Sequence, residues 1–163
     1  MGTVLSVDEL ATRLAALRAQ GRTVALANGH FDLLHVGHLR YLQAAKEQAD
    51  VLVVAINDDD SVARLKGAGR PLVPAAERAE MLAGLVPVDF VVVFSGDSPA
   101  PLLATLKPDV HCKGTDYGEP ERVPEYETVR AYGGRTVLVG DPKDHATSDL
   151  ISKVRSLPVE PRS

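Results

Sequence analysis

The sequence predicts an α/β fold in which helices cover a parallel sheet on both sides. Two observations predict it. Five short apolar runs, rich in valine, recur along the 163 residues, and helical patterns separate them. Strands that alternate with helices are typical of parallel sheets. Strands this apolar are buried on both faces, so we expect three layers, with the sheet in the middle.

Hydrophobic spacing justifies each element in turn. An amphipathic helix is predicted first, over Val7–Gln20, because leucines recur there at helical spacing. The five predicted strands, numbered along the chain, are Thr23–Ala27, Val51–Ile56, Phe90–Phe94, Asp109–Cys112 and Arg135–Val139. The helices predicted between and after them are Gly37–Gln48, Ala75–Leu85, Pro99–Leu106, Pro124–Tyr132 and Thr147–Val154. The aspartate run 58–60, after strand 2, is expected to cap a further helix.

The predicted strands fit two mononucleotide-type halves, which gives a five-stranded sheet in the order 3-2-1-4-5. In such a sheet a crevice opens beyond the carboxyl ends of strands 1 and 4, where the connections diverge. We expect a single domain over residues 1–156. Residues 157–163 carry two prolines and little to bury, so they are expected to form a mobile tail.

Composition narrows the class of protein. The formal net charge is −4, so the chain lacks the basic footprint of a nucleic-acid partner. Cys112 is the single cysteine, which excludes an intramolecular disulfide and fits a reducing compartment. The start of the chain does not resemble a signal peptide, and no apolar run approaches the ~20 residues that span a membrane. These features predict a soluble cytoplasmic protein without a membrane partner.

The most informative segment, Gly29–His38, follows strand 1 and leads into a helix. A helix N-terminus carries unpaired N–H groups and partial positive charge, which suits phosphate. His35 and His38 are three residues apart and so share one face of the first turn, and Gly37 lets a ligand approach the backbone. A zinc site of Asp32, His35 and His38 is the alternative. The glycine and the helix start favour phosphate.

Three common nucleotide and hydrolase motifs do not occur in the sequence. No G-x-G-x-x-G follows strand 1, which disfavours a nicotinamide or flavin dinucleotide fold. No G-x-x-x-x-G-K-[ST] occurs, which argues against a P-loop enzyme. The absence of G-x-S-x-G argues against a serine hydrolase with a nucleophile elbow.

The segment 29–38 resembles the H-x-G-H signature of the nucleotidyltransferase superfamily, in the form G-x-F-D-x-x-H-x-G-H of cytidylyltransferase-like enzymes. Over residues 28–154 the chain also resembles the adenylyltransferases that activate heptose 1-phosphate for bacterial surface polysaccharide. The segments that carry this second resemblance are Arg64–Gly67, Arg70-Pro71, Val88-Asp89, Pro108-Asp109, Lys113–Tyr117 and Thr147-Ser148. The resemblance implies a three-layer Rossmann-like nucleotidyltransferase fold. It also implies transfer of AMP from ATP to a sugar 1-phosphate, giving ADP-sugar and pyrophosphate.

The resemblance further implies roles for individual residues. The catalytic residues would be His35, His38 and Lys46. The nucleotide-binding residues would be Asn28, Gly29, Phe31, Asp32, Gly37, Asp141, Thr147 and Ser148. The substrate-binding residues would be Arg64, Lys66, Arg78, Lys113, Gly114 and Asp116. Mg²⁺ is expected to arrive with the triphosphate of ATP, without a metal site of the protein's own. A homo-oligomer, a dimer, is expected as well.

Several of these residues also have a purely structural interpretation. Lys46 could simply be a solvated lysine on a helix. Lys113 could simply mark the solvated end of a strand. Lys66 lies in a basic segment that is either a flexible lid or an ordinary surface loop. Arg78 has glutamates as neighbours and could form a surface ion pair instead of entering the site. Asp32 is expected to orient the loop rather than to act as a base.

The last motif departs from the family pattern. Heptose enzymes usually read Ser-Thr-Thr where this chain has Ala146-Thr147-Ser148, so one hydroxyl is missing. Thr147 and Ser148 could cap the final helix, bind outer phosphates of the nucleotide, or do both. His30 stands where relatives often carry a small residue or cysteine. His111 and His145 lack a motif context and receive no role.

The sequence leaves two other functions open. One is a cytidylyltransferase that acts on glycerol 3-phosphate or a similar alcohol phosphate. The other is a non-catalytic nucleotide sensor, against which the intact H-x-G-H argues, because a sensor has no need to stabilise pyrophosphate.

Overall fold

A computed structural model describes residues 1–142 and 144–159, and it is an α/β fold with six strands and seven α-helices in that part of the chain. The strands are β1 (Thr3–Leu5), β2 (Val24–Gly29), β3 (Val51–Asn57), β4 (Phe90–Phe94), β5 (Val110–Lys113) and β6 (Arg135–Leu138). The helices are α1 (Val7–Ala19), α2 (Val36–Lys46), α3 (Asp59–Lys66), α4 (Ala75–Ala83), α5 (Ala100–Leu106), α6 (Tyr126–Ala131) and α7 (Thr147–Ser156). Two short 3₁₀ turns, Thr115–Tyr117 and Pro120–Arg122, lie between β5 and α6.

The strands form one parallel sheet in the order β1-β4-β3-β2-β5-β6. The predicted α/β class, the parallel sheet and the Rossmann-like fold are therefore confirmed. The predicted count of five strands and the order 3-2-1-4-5 are wrong, because β1 adds a strand beside β4 at the sheet edge. A run of three largely exposed residues is too short to show a strand pattern. The five predicted strands keep their mutual order within the sheet.

Apolar clusters lie on both faces of the sheet. All seven residues of β3 are buried, as expected for a strand that is covered on both sides. Successive residues of β2 point to opposite faces: Ala25 and Ala27 pack in one cluster with Leu42 of α2, whereas Leu26 packs in the other with Leu14 of α1. The two clusters confirm the three-layer arrangement.

One predicted cap is present at the end of β3. The Asp58 carboxylate accepts a hydrogen bond from the backbone N–H of Ser61 at 2.9 Å and so caps α3. This satisfies one of the N–H groups that the first turn of a helix leaves without an intrahelical partner.

The topology places a crevice next to the histidine-rich segment. From β2 the chain proceeds to β3 and then to β4, which lie next to β2 in one direction across the sheet. The strands β5 and β6 lie beyond β2 in the other direction. The connections therefore diverge between β2 and β5, and ligands bind beyond the carboxyl ends of the strands at such a point.

Two sequence expectations concern the extent of the fold. The single domain over residues 1–156 stays a proposal. Within the predicted tail, residues 160–163 lie outside the described part of the chain. Across residues 1–142 and 144–159, no helix combines the length and the apolar character needed to cross a bilayer.

Candidate active site

A cavity of about 580 Å³ opens at the carboxyl ends of β2 and β5. We name this cavity the crevice. The structure brings to it most of the residues that the sequence singled out, namely Asn28, Gly29, Phe31, Asp32, His35, Gly37, His38, Lys66, Lys113, Gly114, Asp116, Asp141, Thr147 and Ser148. These residues come from five separate parts of the chain, so the fold assembles the site. It does not bring Lys46, Arg64 or Arg78 to the crevice lining.

The two signature histidines stack at the start of α2. Their ring centroids are 3.8 Å apart and the rings are inclined by 22°. The Nδ1 atom of His38 accepts a hydrogen bond from the backbone N–H of His35 at 3.4 Å. The ring of Phe31 lies 5.1 Å from that of His38 and supports the pair from the side. Both imidazoles are thereby held next to the N–H groups that open the helix.

Burial first, and then the nearby His145, lower the pKa of His35 below its ordinary value. Within the described residues, Nδ1 of His35 is buried without a hydrogen-bond partner. Gly37 makes this crowding possible, because a Cβ at that position would lie 3.0 Å from Nδ1 of His35 and 3.2 Å from Cβ of His145. The glycine thus leaves room for a third imidazole as well as for a ligand.

Asp32 anchors the basic segment to the signature turn. Its carboxylate accepts hydrogen bonds from the backbone N–H groups of Leu72 and Val73, both at 2.9 Å, and from Nε of Arg70 at 2.8 Å. Burial alone would raise the pKa of Asp32, but these hydrogen bonds outweigh it and lower the pKa. A carboxylate so fully engaged orients the loop and is a poor general base. Lys66, which ends α3 directly before this loop, also lines the crevice.

Lys113 ends β5 and lines the crevice together with His35. Its ammonium lies 5.4 Å from the ring centroid of Tyr117, within the range of a cation–π contact. The hydroxyl of Tyr41, on α2, donates a hydrogen bond to the carbonyl of Cys112 at 2.6 Å. This bond ties the helix that carries the histidines to the strand that carries the lysine.

The structure does not place Arg78, a predicted substrate-binding residue, on the crevice lining. Its side chain is completely buried. The guanidinium donates hydrogen bonds to the carbonyls of Val73 (2.9 Å) and His30 (2.7 Å) and pairs with Asp59 at 2.8 Å. All of these partners belong to the protein, so Arg78 braces the loops behind the crevice. The carboxylate that pairs with Arg78 belongs to Asp59 and not to the neighbouring glutamates.

The structure also places Lys46 and Arg64 away from the crevice lining and gives each of them an acidic partner within the protein. Lys46 is the last residue of α2 and lies near the amino ends of the strands, away from the crevice. There it pairs with Asp89. Arg64 is half exposed and pairs with Asp97 at 3.0 Å. Sequence spacing alone could not show these partners, because they lie more than thirty residues away along the chain.

At the N-terminus of α7, Thr147 and Ser148 do not act as the helix cap that the sequence allowed. Ala146 occupies the N-cap position, so neither hydroxyl residue caps the helix. Thr147 instead donates a hydrogen bond from Oγ1 to the carbonyl of Leu33 at 3.2 Å, which ties α7 to the signature turn. Thr147 and Ser148 both line the crevice, and their phosphate role stays a prediction.

Sequence reasoning missed some crevice residues. His145 lies two residues before Thr147, and that proximity was the signal that could have found it. Glu125 is buried and lines the crevice, but no motif marks it. Tyr117 lies inside a segment that carried the resemblance, although it received no role of its own.

The acidic and histidine side chains also bear on metal binding. Over residues 1–142 and 144–159, no group of three or more His, Cys, Asp or Glu side chains is arranged to hold a metal ion. Of the carboxylates that line the crevice, Asp32 is paired with Arg70 and Asp141 is paired with Arg40 at 2.9 Å.

Residues 26–156 match the family model described as cytidylyltransferase-like. Among curated proteins, the bifunctional protein HldE of Geotalea uraniireducens is 49% identical over 153 residues, which is 94% of this chain and 31% of that protein. HldE of Alkalilimnicola ehrlichii is 45% identical over 155 residues, 95% of this chain and 32% of the relative. The chain thus spans about a third of the length of the curated relatives that it matches.

Two solved structures are similar in fold. The lipopolysaccharide core biosynthesis protein of Thermoplasma volcanium has a TM-score of 0.64 and 26% identity, and the match covers 76% of this chain and 100% of that one. The pantoate-β-alanine ligase of Francisella tularensis, solved with β,γ-ATP and β-alanine, has a TM-score of 0.61 and 14% identity over 95% of this chain and 77% of that one. At this identity the second likeness shows the fold alone.

Proposed function

Because the chain belongs to the cytidylyltransferase-like family, we propose that it transfers AMP from ATP to a sugar 1-phosphate and releases pyrophosphate. Heptose 1-phosphate is the acceptor we propose, from the resemblance that the sequence carries over most of its length. The observation that carries the proposal is the stacked His35–His38 pair, which opens a helix on the same crevice as Lys113. Imidazole, ammonium and backbone N–H groups then line one cavity of about 580 Å³.

The reaction needs no protein nucleophile, because a sugar phosphate is already an anionic oxygen nucleophile at neutral pH. An oxygen of that phosphate forms a bond to the α-phosphorus of ATP. The bond from the α-phosphorus to the bridging oxygen breaks, and its electron pair leaves with pyrophosphate. The protein therefore contributes positioning and charge stabilisation.

His35 and His38 would donate hydrogen bonds to the bridging and α-phosphate oxygens as charge builds on the leaving group. Their stacking and the backbone bond to His38 hold them in place before the substrates bind. Pre-organised donors avoid reorganisation during the reaction, which is why such groups contribute strongly to the rate.

The remaining crevice residues divide between the two substrates in this proposal. Thr147, Ser148 and the N-terminus of α7 would hold the outer phosphates of the nucleotide. The other nucleotide contacts would come from Asn28, Gly29, Phe31, Gly37 and Asp141. The phosphate and hydroxyl groups of the sugar would meet Lys66, Lys113, Gly114 and Asp116.

A divalent cation accompanies the triphosphate in chemistry of this kind, and we propose that it is Mg²⁺. It would supply neutralisation of phosphate charge. The described residues offer no ready-made metal cluster. In this proposal the triphosphate carries the ion, without a metal site of the protein's own.

The test is the identity of the products. Incubation with ATP and heptose 1-phosphate should give ADP-heptose and pyrophosphate in equal amounts, measured by phosphorus NMR. Pyrophosphate formed only with CTP and glycerol 3-phosphate would instead favour the alcohol-phosphate cytidylyltransferase. Nucleotide binding without pyrophosphate from any acceptor would favour the sensor. A homodimer also stays a proposal, and sedimentation would test it.

A further inference from the structure

His111 is completely buried in β5, beneath the crevice. In the sheet it lies opposite Leu26 of the neighbouring β2. Asn28 comes two residues after Leu26, so its side chain emerges on the same face of the sheet as His111. The Nε2 atom of His111 and the Oδ1 atom of Asn28 are 2.8 Å apart, which is a hydrogen bond. Asn28 itself lines the crevice.

The chemistry of the two groups sets the direction of this bond. An amide oxygen can only accept, so Nε2 of His111 carries the proton and donates it. Within the described chain, Nδ1 of His111 has no hydrogen-bond partner. A buried lone pair left unmatched is more common than a buried N–H left unmatched, which favours the same tautomer. Burial, and then the charge of Lys113, lower the pKa of His111 to about 3, so the ring is neutral at ordinary pH.

Packing alone does not account for an imidazole at this position. The ring is completely buried, and Leu26, which points to the same face of the sheet from β2, is buried and apolar. Transfer of a polar ring into such surroundings is unfavourable unless it gains a hydrogen bond. A branched aliphatic side chain would fill the space without that penalty. In the part of the chain that the structure describes, the hydrogen bond of the His111 ring leads to Asn28, a residue of the crevice.

We propose that His111 is a positioning residue that acts through Asn28. By holding Oδ1 of the amide towards the sheet, it turns the NH₂ group of Asn28 into the crevice, where that group donates a hydrogen bond to an oxygen of a bound substrate. A buried hydrogen bond fixes the orientation of a side chain more tightly than apolar packing does. The amide then needs no reorientation when the substrate binds. This role rests on the function proposed above.

The test compares His111→Leu, which keeps apolar volume but removes the donor, with His111→Gln, which keeps an N–H donor. The dissociation constant of a non-hydrolysable ATP analogue and that of heptose 1-phosphate are measured separately by calorimetry, alongside KM and kcat for both substrates. Urea unfolding of each variant reports on folding. Asn28→Ala and the double variant Asn28→Ala/His111→Leu complete a cycle.

We expect His111→Leu to raise KM and the dissociation constant for one of the two substrates by about five- to twentyfold, with kcat nearly unchanged, because a donor lost from ground state and transition state alike appears in KM. His111→Gln should restore most of the affinity. The His111→Leu change should have little further effect once Asn28 is alanine.

Unchanged affinity for both ligands in a folded His111→Leu variant would overturn the proposal. An equal loss in the presence and absence of the Asn28 amide would overturn it too. The binding measurements need no turnover. Wild-type protein that binds the ATP analogue but forms no pyrophosphate would therefore defeat the proposed reaction, while the comparison of the variants still decides the role of His111.

Discussion

The ammonium of Lys46 lies 2.5 Å from the Asp89 carboxylate, at the amino ends of the strands and so away from the crevice. Lys46 also donates a hydrogen bond to the carbonyl of Asp50, the residue directly before β3, and Asp89 directly precedes β4. Both partners therefore mark the amino ends of parallel strands. At a rise of about 1.5 Å per residue, Lys46 lies roughly 12 Å along α2 from His38 and roughly 16 Å from His35.

Replacement of Lys46 by methionine should therefore leave catalysis nearly intact. We expect kcat and both KM values to stay within about twofold of the wild type. The free energy of unfolding should fall by about 1 kcal/mol or less, because the ion pair is partly exposed. Steady-state kinetics and urea unfolding measure the two effects. A loss of tenfold or more in kcat in a folded variant would show that Lys46 does reach the phosphates.

Substitution of either signature histidine should act on turnover. His35→Ala or His38→Ala should lower kcat by on the order of 10²-fold, because these donors meet charge that develops only in the transition state. The dissociation constant of ATP, measured by calorimetry, should change much less. The role would be refuted by near-wild-type turnover, or by a loss in binding as large as the loss in turnover.

Lys113 should affect the use of a phosphorylated substrate. We expect Lys113→Ala to raise KM for the sugar phosphate by about tenfold or more, because a hydrogen bond to a charged group contributes roughly 1.5–3 kcal/mol. Its free energy of unfolding should change by no more than ~0.5 kcal/mol. Lys153→Ala, at an exposed position of α7, is the matched control and should alter neither quantity. Equal kinetics of the two variants would argue against Lys113.

Acid should destabilise the fold through His111. Burial, followed by the charge of Lys113, lowers its folded-state pKa from 6.5 to about 3. Below pH 6.5 the unfolded chain binds a proton at this ring that the folded chain does not, so stability falls by up to about 1.4 kcal/mol per pH unit for this group. Between pH 7.5 and pH 5, His111→Leu should therefore lose roughly 2 kcal/mol less than the wild type. Urea unfolding at both pH values tests this, and parallel losses would show that His111 does not titrate in this way.

The sheet was largely predictable because buried parallel strands have a strong local signal. The valine-rich runs that became β3 and β4 have no polar interruption. The strand β1 was not predicted, because Thr3 and Val4 are exposed and give no apolar pattern. The strand forms through its pairing with β4. Its existence depends on a contact almost ninety residues away along the chain, which no local pattern encodes.

The candidate site was predictable where the chemistry sits in a continuous motif. His35, Gly37 and His38 act through local spacing at a helix start, and the structure places all three in the crevice. The charged residues outside that motif were not predictable in the same way. The environment of Arg78 depends on Asp59 and on carbonyls brought together by the fold, and the pairing of His111 with Asn28 depends on strand register.

Nucleotide choice tests most directly the proposal that the crevice activates a sugar 1-phosphate with ATP. The measurement is pyrophosphate release at limiting substrate, with heptose 1-phosphate or glycerol 3-phosphate as acceptor and ATP, CTP or GTP as donor, expressed as kcat/KM. We expect the highest value for ATP with heptose 1-phosphate, and loss of that activity in His38→Ala. Comparable or greater release with CTP and glycerol 3-phosphate would contradict it.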